Sequence, residues 1–280
     1  MGASRDARRD EADRAPVQWW RPNGALLPGF EEALIATVKA LAASLPAPRH
    51  DPFYGLDRDG PGLRVLERLT RHGDFRKYVF VLDAAAGLGG AARWLALRYG
   101  CRVLALDQQC AALAVARRLT RRARLADRVW SLAGSIDRIP VRDATFTQIW
   151  AVEALRRARE PARAIAELFR VLRPGSPIAL QVRVHRDPSD ARSPTLGTYR
   201  SALAAAGFVD VDCEDVTGEH EETSPLVLSA RTQLARRLAE RGGNVAAARA
   251  AAEPRAPTLP AARDEPHLRV YQLFARRPSV

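Results

Sequence analysis

Residues 79–96, VFVLDAAAGLGGAARWLA, decide the fold. An apolar run ends at Asp83, a turn of small residues follows, and a helix is expected from about Gly90. Gly87 and Gly89 let backbone come close to a ligand, and the following helix offers free N–H groups and the positive end of its dipole. Strand, glycine turn and helix in that order form the opening unit of a nucleotide-binding α/β fold.

The same alternation continues on both sides. Strands are expected at 78–82, 102–106, 129–133, 147–152, 178–184, 209–214 and 267–275, and helices at 90–99, 111–122, 162–171 and 194–206. Strands that are apolar throughout, separated by amphipathic helices, indicate a doubly wound, mostly parallel seven-stranded sheet covered on both faces. Ligands of such sheets bind at the C-terminal strand ends. Residues 1–18 are polar and expected to be disordered, and 19–72 form an N-terminal helical arm that opens on Trp19 and Trp20 and carries helices at 31–45 and 63–70. The core is 73–216. A helical insertion at 217–264, with helices at 226–241 and 245–252 and a linker at 254–260, is placed to act as a lid, and 265–280 hold the last strand.

The 280 residues can bury one substantial core. The net charge of +12 comes from 44 basic residues, of which only Lys39 and Lys77 are lysine. Arginines such as Arg93, Arg98, Arg117, Arg118, Arg163 and Arg170 are spread over several helices, which reads as solvated faces rather than a nucleic-acid groove. Three cysteines, Cys101, Cys110 and Cys213, without CxxC spacing argue against a disulfide framework and a zinc site. His50, His72, His185, His220 and His267 show no metal spacing either, so no metal is expected. With no signal-like N-terminus and no run near the ~18 apolar residues of a membrane span, a soluble cytoplasmic protein is expected.

Two acids separate the possible nucleotides. Read from Gly87, GLGGAA fits a dinucleotide fingerprint, but a carboxylate at Asp83 would repel a pyrophosphate packed over the turn. It suits the ammonium and sulfonium of S-adenosylmethionine (SAM). Asp107 ends the second expected strand, where a carboxylate can accept both ribose hydroxyls; its competing role is to cap the helix beginning in DQQCAAL.

With these residues in place the chain resembles the class I SAM-dependent methyltransferases, in particular the small-molecule subgroup that includes sarcosine/dimethylglycine and natural-product methyltransferases. The likeness runs through GLGGAARWLA, GCRVLALD, ARRLTRRARLADRV, GSIDRIPVRDATFTQIW and AELFRVLRPGSPIAL, and more weakly through HDPFYGL and YRSALAAAGFVDVDCEDVT. It implies that Asp83, Gly87 and Gly89 hold the methionine portion of SAM and Asp107 the ribose, with Gln108 and Trp150 also at the cofactor. Ala85 stands where a glycine is usual. The family often has an acid directly after the glycine matching Gly134; Ser135 and Ile136 stand here, leaving Ser135, Asp137 or backbone to bond the adenine. Tyr54 matches an aromatic position near the methyl donor, with packing of a turn as its competing role.

Trp150, Ala151 and Glu153 would border cofactor and substrate. Arg156 and Arg157 replace the histidines frequent in relatives, and they read either as an anion clamp or, preferably, as solvated helix residues. Glu153 would orient a nucleophile or neutralise an arginine, so Glu153 and Tyr54 are the catalytic candidates. A methyl transfer to N, O or C of a small-molecule acceptor is expected. A non-catalytic SAM-binding protein and an RNA methyltransferase are the rivals.

Overall fold

The computed structural model describes residues 26–44, 51–57, 63–185, 194–217, 225–240 and 268–279. The expected tail, Trp19, Trp20, the helix at 245–252 and the linker at 254–260 lie outside the described residues.

Seven strands form one sheet: β1 (Phe80–Ala84), β2 (Arg102–Asp107), β3 (Val129–Ala133), β4 (Gln148–Val152), β5 (Pro177–His185), β6 (Val209–Asp215) and β7 (Leu268–Arg276). Their order is β3-β2-β1-β4-β5-β7-β6. The first five are parallel, while β7 inserts antiparallel between β5 and β6, paired with β5 from Pro177↔Arg276 to His185↔Leu268.

The helices are α1 (Phe30–Ser44), α2 (Leu63–Leu69), α3 (Gly90–Tyr99), α4 (Cys110–Arg122), α5 (Pro161–Val171), α6 (Leu196–Ala206) and α7 (Pro225–Glu240). Sequence explains their limits. Pro161 opens α5, where a proline loses no helical hydrogen bond. Thr195 and Thr198 cap α6 reciprocally, and Gly207 in the left-handed region ends it.

Alternate residues of the central strands face opposite layers. Leu82, Ile149 and Ala151 join α5 and α6 residues such as Ile165, Leu168 and Leu203 in one apolar cluster. Val81, Trp150 and Ala179 face the other way, into a cluster with Leu66, Leu69, Trp94 and Leu95. Burial on both faces is why these strands read as continuous apolar runs. β1 begins two residues later than its apolar letters predict, because Tyr78 is 81% exposed and the ladder to β2 extends to Ala84↔Leu106. Asp83 consequently lies within the ladder, opposite Ala105 and Trp150, rather than beyond it.

A third cluster joins segments far apart in the chain. Phe30 and Leu34 of α1, Phe53, Tyr54 and Leu56, Val115 and Leu119 of α4, and Ala230, Leu234 and Leu238 of α7 pack with Leu88 of the glycine turn. The arm and the insertion helix therefore share one apolar layer, and that layer touches the turn.

Candidate functional site

The turn after β1 is held open by backbone geometry. Ala85, Gly87 and Gly89 all take positive φ, +58°, +55° and +74°. Ala86 N–H donates to Leu106 O at 2.9 Å and Gly89 N–H to Ala86 O at 2.8 Å. A Cβ placed on Gly87 would meet no atom within 4 Å, so open space stands beside its backbone. Ala85 keeps the left-handed conformation without being glycine, which costs a residue with a Cβ about 1–2 kcal/mol.

Two carboxylates flank this turn. Asp107 is buried and accepts Gly87 N–H through Oδ2 and Gln109 N–H through Oδ1, each at 2.8 Å. It thus ties the turn to β2 and also serves the chain entering α4, while each oxygen keeps a lone pair for a hydroxyl. Asp83 is 3% exposed, and its Oδ2 has no partner. Burial first, then the neighbouring Asp107 charge, push its pKa up to about 7, against the Ala92 N–H and the Arg93 charge. A buried carboxylate oxygen without a donor, at the end of the strand that enters this glycine turn, fits the ammonium end of SAM.

A narrow cleft opens beside the turn, lined by Ala85, Leu106, Asp107, Gln108, Gly134, Ile136 and Arg157. Of the residues expected at the cofactor, Ala85, Asp107, Gln108 and Ile136 are in its wall. Ser135 and Asp137 are turned elsewhere: their side chains bond each other at 3.1 Å, and the Asp137 carboxylate accepts Arg159 N–H at 3.2 Å. Trp150 does not border the cleft. It is fully buried, with its ring edge-on to Phe75 and Trp94 on the opposite face of the sheet from Ile136. Leu106 is a wall residue that the sequence reading missed; its place directly before Asp107 was the available signal.

Beyond β4, Glu153 takes φ +57° and presents its carboxylate to β5. Its Oε1 accepts from Gln181 Nε2 at 3.1 Å and from Arg183 Nε at 3.2 Å, while the buried Oε2 has no partner. Gln272 of β7 extends the network, donating to Gln181 Oε1 at 3.3 Å. Arg156 is drawn into this group. Its pKa is lowered by desolvation, which the Glu153 charge opposes and Arg183 reinforces; Arg156 is half-buried, while Arg157 is exposed and lines the cleft. Burial, then Glu153, push the Tyr199 hydroxyl up to about 12, keeping it neutral.

Arg93, read as a solvated helix residue, is 1% exposed. It forms an ion pair with Asp57, donates to Ala116 O and Thr120 Oγ1 at 3.3 Å, and lies 5.2 Å from the Phe53 ring centroid. No local pattern announces a pair separated by 36 positions. Tyr54 is buried in the apolar layer with Leu88, with a hydroxyl that has no partner and a pKa raised by desolvation and Asp51. Among the described residues no cluster of His, Cys, Asp and Glu could hold a metal ion, and no helix is long and apolar enough to cross a membrane.

Comparison with known proteins adds ancestry to this geometry. The family described as "Methyltransferase domain" matches residues 82–180. Methyltransferase GfsG of Streptomyces halstedii is 31% identical over 198 residues, covering 65% of this chain and 71% of its own length. The chain belongs to the SAM-dependent methyltransferase family. A second relative of this methyltransferase, the sarcosine/dimethylglycine N-methyltransferase of Halorhodospira halochloris, is 29% identical over 60% of the chain, which spans 64% of that enzyme's length. Among solved structures the [4+2]-cyclase SpnF superposes with a TM-score of 0.62 at 23% identity, covering 90% of this methyltransferase and 95% of SpnF. That likeness shows the fold alone. SAM is the cofactor of the family.

Proposed function

We propose that the protein transfers a methyl group from SAM to an N, O or C atom of a small-molecule acceptor. The observation that carries this reading is the buried Asp83 carboxylate, one oxygen of which has no partner, at the end of the strand that leads into the open glycine turn. A pyrophosphate would be repelled there, whereas a cationic amino acid group supplies the missing donor.

SAM, when bound, supplies a methyl group activated by its sulfonium. Asp83 and the Gly87–Gly89 backbone would hold the methionine end, and Asp107 the ribose hydroxyls, with Gln108 and Ile136 along the adenosine. The protein's further task is to align the acceptor and exclude water, and alignment alone contributes about 7–11 kcal/mol in favourable systems. Glu153 fits the acceptor side. Its Oε2 is free to take an O–H or N–H of the acceptor, and Gln181 and Arg183 fix the carboxylate in one orientation. Tyr199, held neutral, lies close enough to feel its charge. The layer of α1, residues 51–57 and α7 over Leu88 would cover the site from the arm and insertion sides.

Calorimetric titration of SAM and S-adenosylhomocysteine at pH 8 into wild type and Asp83→Asn tests the reading. Wild type should bind both, and the variant should lose at least about tenfold in SAM affinity while melting no earlier. Equal SAM affinity in the two proteins would overturn it.

A further inference from the structure

The wall of the cleft presents a difference from what the family resemblance implies. No carboxylate follows Gly134, and the nearest one, Asp137, is occupied by Ser135 and Arg159 N–H. Leu106, Ile136 and Gly134 offer apolar surface without a side-chain acceptor for an adenine amino group. The wall residues with polar side chains are Asp107, Gln108 and Arg157, and of these Arg157 alone comes from the segment after β4.

Its position follows from topology. Arg157 ends the 3₁₀ turn Ala154–Arg157 after β4, yet the cleft it lines is otherwise built from the ends of β1, β2 and β3. Because β1 lies between β4 and β2, Arg157 lines one cleft with Leu106 and Ile136 from across the end of β1. Asp137 fixes this crossing. Its carboxylate accepts Arg159 N–H, and its carbonyl accepts Arg163 Nε at 3.2 Å, so the segment after β4 is stapled to the loop after β3. The arginine is exposed and lines the cleft, and the backbone two residues on is anchored to Asp137.

We propose that Arg157 determines cofactor recognition by laying its guanidinium plane over the adenine ring, opposite the apolar wall of Leu106 and Ile136. The inference rests on the SAM reading above and deepens it. Asp83 is absent from this wall while Asp107 is part of it, so the space beside Arg157 belongs to the adenosine end. A planar, weakly hydrated cation stacks on an aromatic face, and such contacts add binding without any hydrogen bond to the ring. Asp137 then acts as a positioning residue for the cap rather than as an adenine ligand.

The test is calorimetric binding of S-adenosylhomocysteine and of 5′-methylthioadenosine, which keeps adenine and ribose but lacks the amino acid, to wild type, Arg157→Ala and Arg157→Lys. Arg157→Ala should weaken both ligands by a similar factor, about tenfold, and lysine should recover only a minor part. Three results overturn the proposal: unchanged affinities in Arg157→Ala, a loss confined to S-adenosylhomocysteine, or full recovery by lysine. Failure of wild type to bind either ligand would instead remove the SAM reading itself, and the cap with it.

Discussion

Asp107 and Gly87 are joined by a 2.8 Å hydrogen bond from the glycine N–H to Oδ2, so the acid expected at the ribose also holds the turn expected at the methionine end. One carboxylate thereby couples the two halves of the proposed cofactor site. Asp107→Ala should lower stability by about 1–3 kcal/mol, since it leaves buried N–H groups of Gly87 and Gln109 without an acceptor, and it should weaken adenosine-containing ligands as well. Denaturant melts and titration with 5′-methylthioadenosine check this; a variant that loses affinity at unchanged stability would show that the Gly87 bond holds nothing in place.

Asp83 makes the protein sensitive to pH. Its folded pKa near 7 exceeds the ordinary 3.8, so the folded chain binds an extra proton across that interval. The contribution of Asp83 to stability is present below pH 3.8 and is lost as pH rises to about 7. Ligand-free protein should lose stability through that window, and Asp83→Asn should remove this component. SAM affinity should move oppositely, tightening up to pH 7 because the cation requires the ionised acid. Melts and titrations at pH 5, 6, 7 and 8 measure both trends, and a SAM affinity that is flat with pH would contradict the assignment.

Ala85 carries strain at φ +58°. Ala85→Gly relieves about 1–2 kcal/mol of left-handed conformational cost and gives back about 0.5–1 kcal/mol in unfolded-chain entropy. A net gain of roughly 0.5–1 kcal/mol is expected, a rise of about 1–4 °C in melting temperature for a domain of this size. Since the lost methyl group also lines the cleft, S-adenosylhomocysteine binding should stay equal or tighten. A lower melting temperature would show that the Ala85 methyl is needed for packing.

The Asp57–Arg93 pair anchors residues 51–57 over the start of α3. Removing one partner leaves an uncompensated buried charge, so Asp57→Ala should destabilise by about 3–5 kcal/mol. Replacing both with leucine should recover much of that loss. If the double variant is no better than the single one, the specific hydrogen bonds of Arg93 to Ala116 and Thr120 matter more than the unpaired charge.

Much of the fold was legible because its causes are local. Apolar runs gave the strands, Gly87 and Gly89 the turn, and Pro161 and Gly207 the helix limits. Asp83, Asp107 and the adjoining wall residues could be named for the same reason: they follow strand ends at fixed offsets, and strand ends in a doubly wound sheet converge. The reading failed where a side chain's environment depends on distant segments. Arg93 and Arg156 look like any other helix arginine until Asp57, and Glu153 with Arg183, are brought to them. Trp150 sits beside the right strand end, but the pleat sends it into the layer of Phe75 and Trp94.

The amino-acid sequence alone determined the doubly wound sheet, the glycine turn and the two acids beside it, because hydrophobic period and backbone freedom act over a few residues. Only the tertiary structure decided which of these acids keeps an oxygen without a partner, which arginines are buried, and that Arg157 lines the cleft from beyond β1. Charge and burial are set by contacts between residues remote in the chain, and those exist only once the sheet has closed.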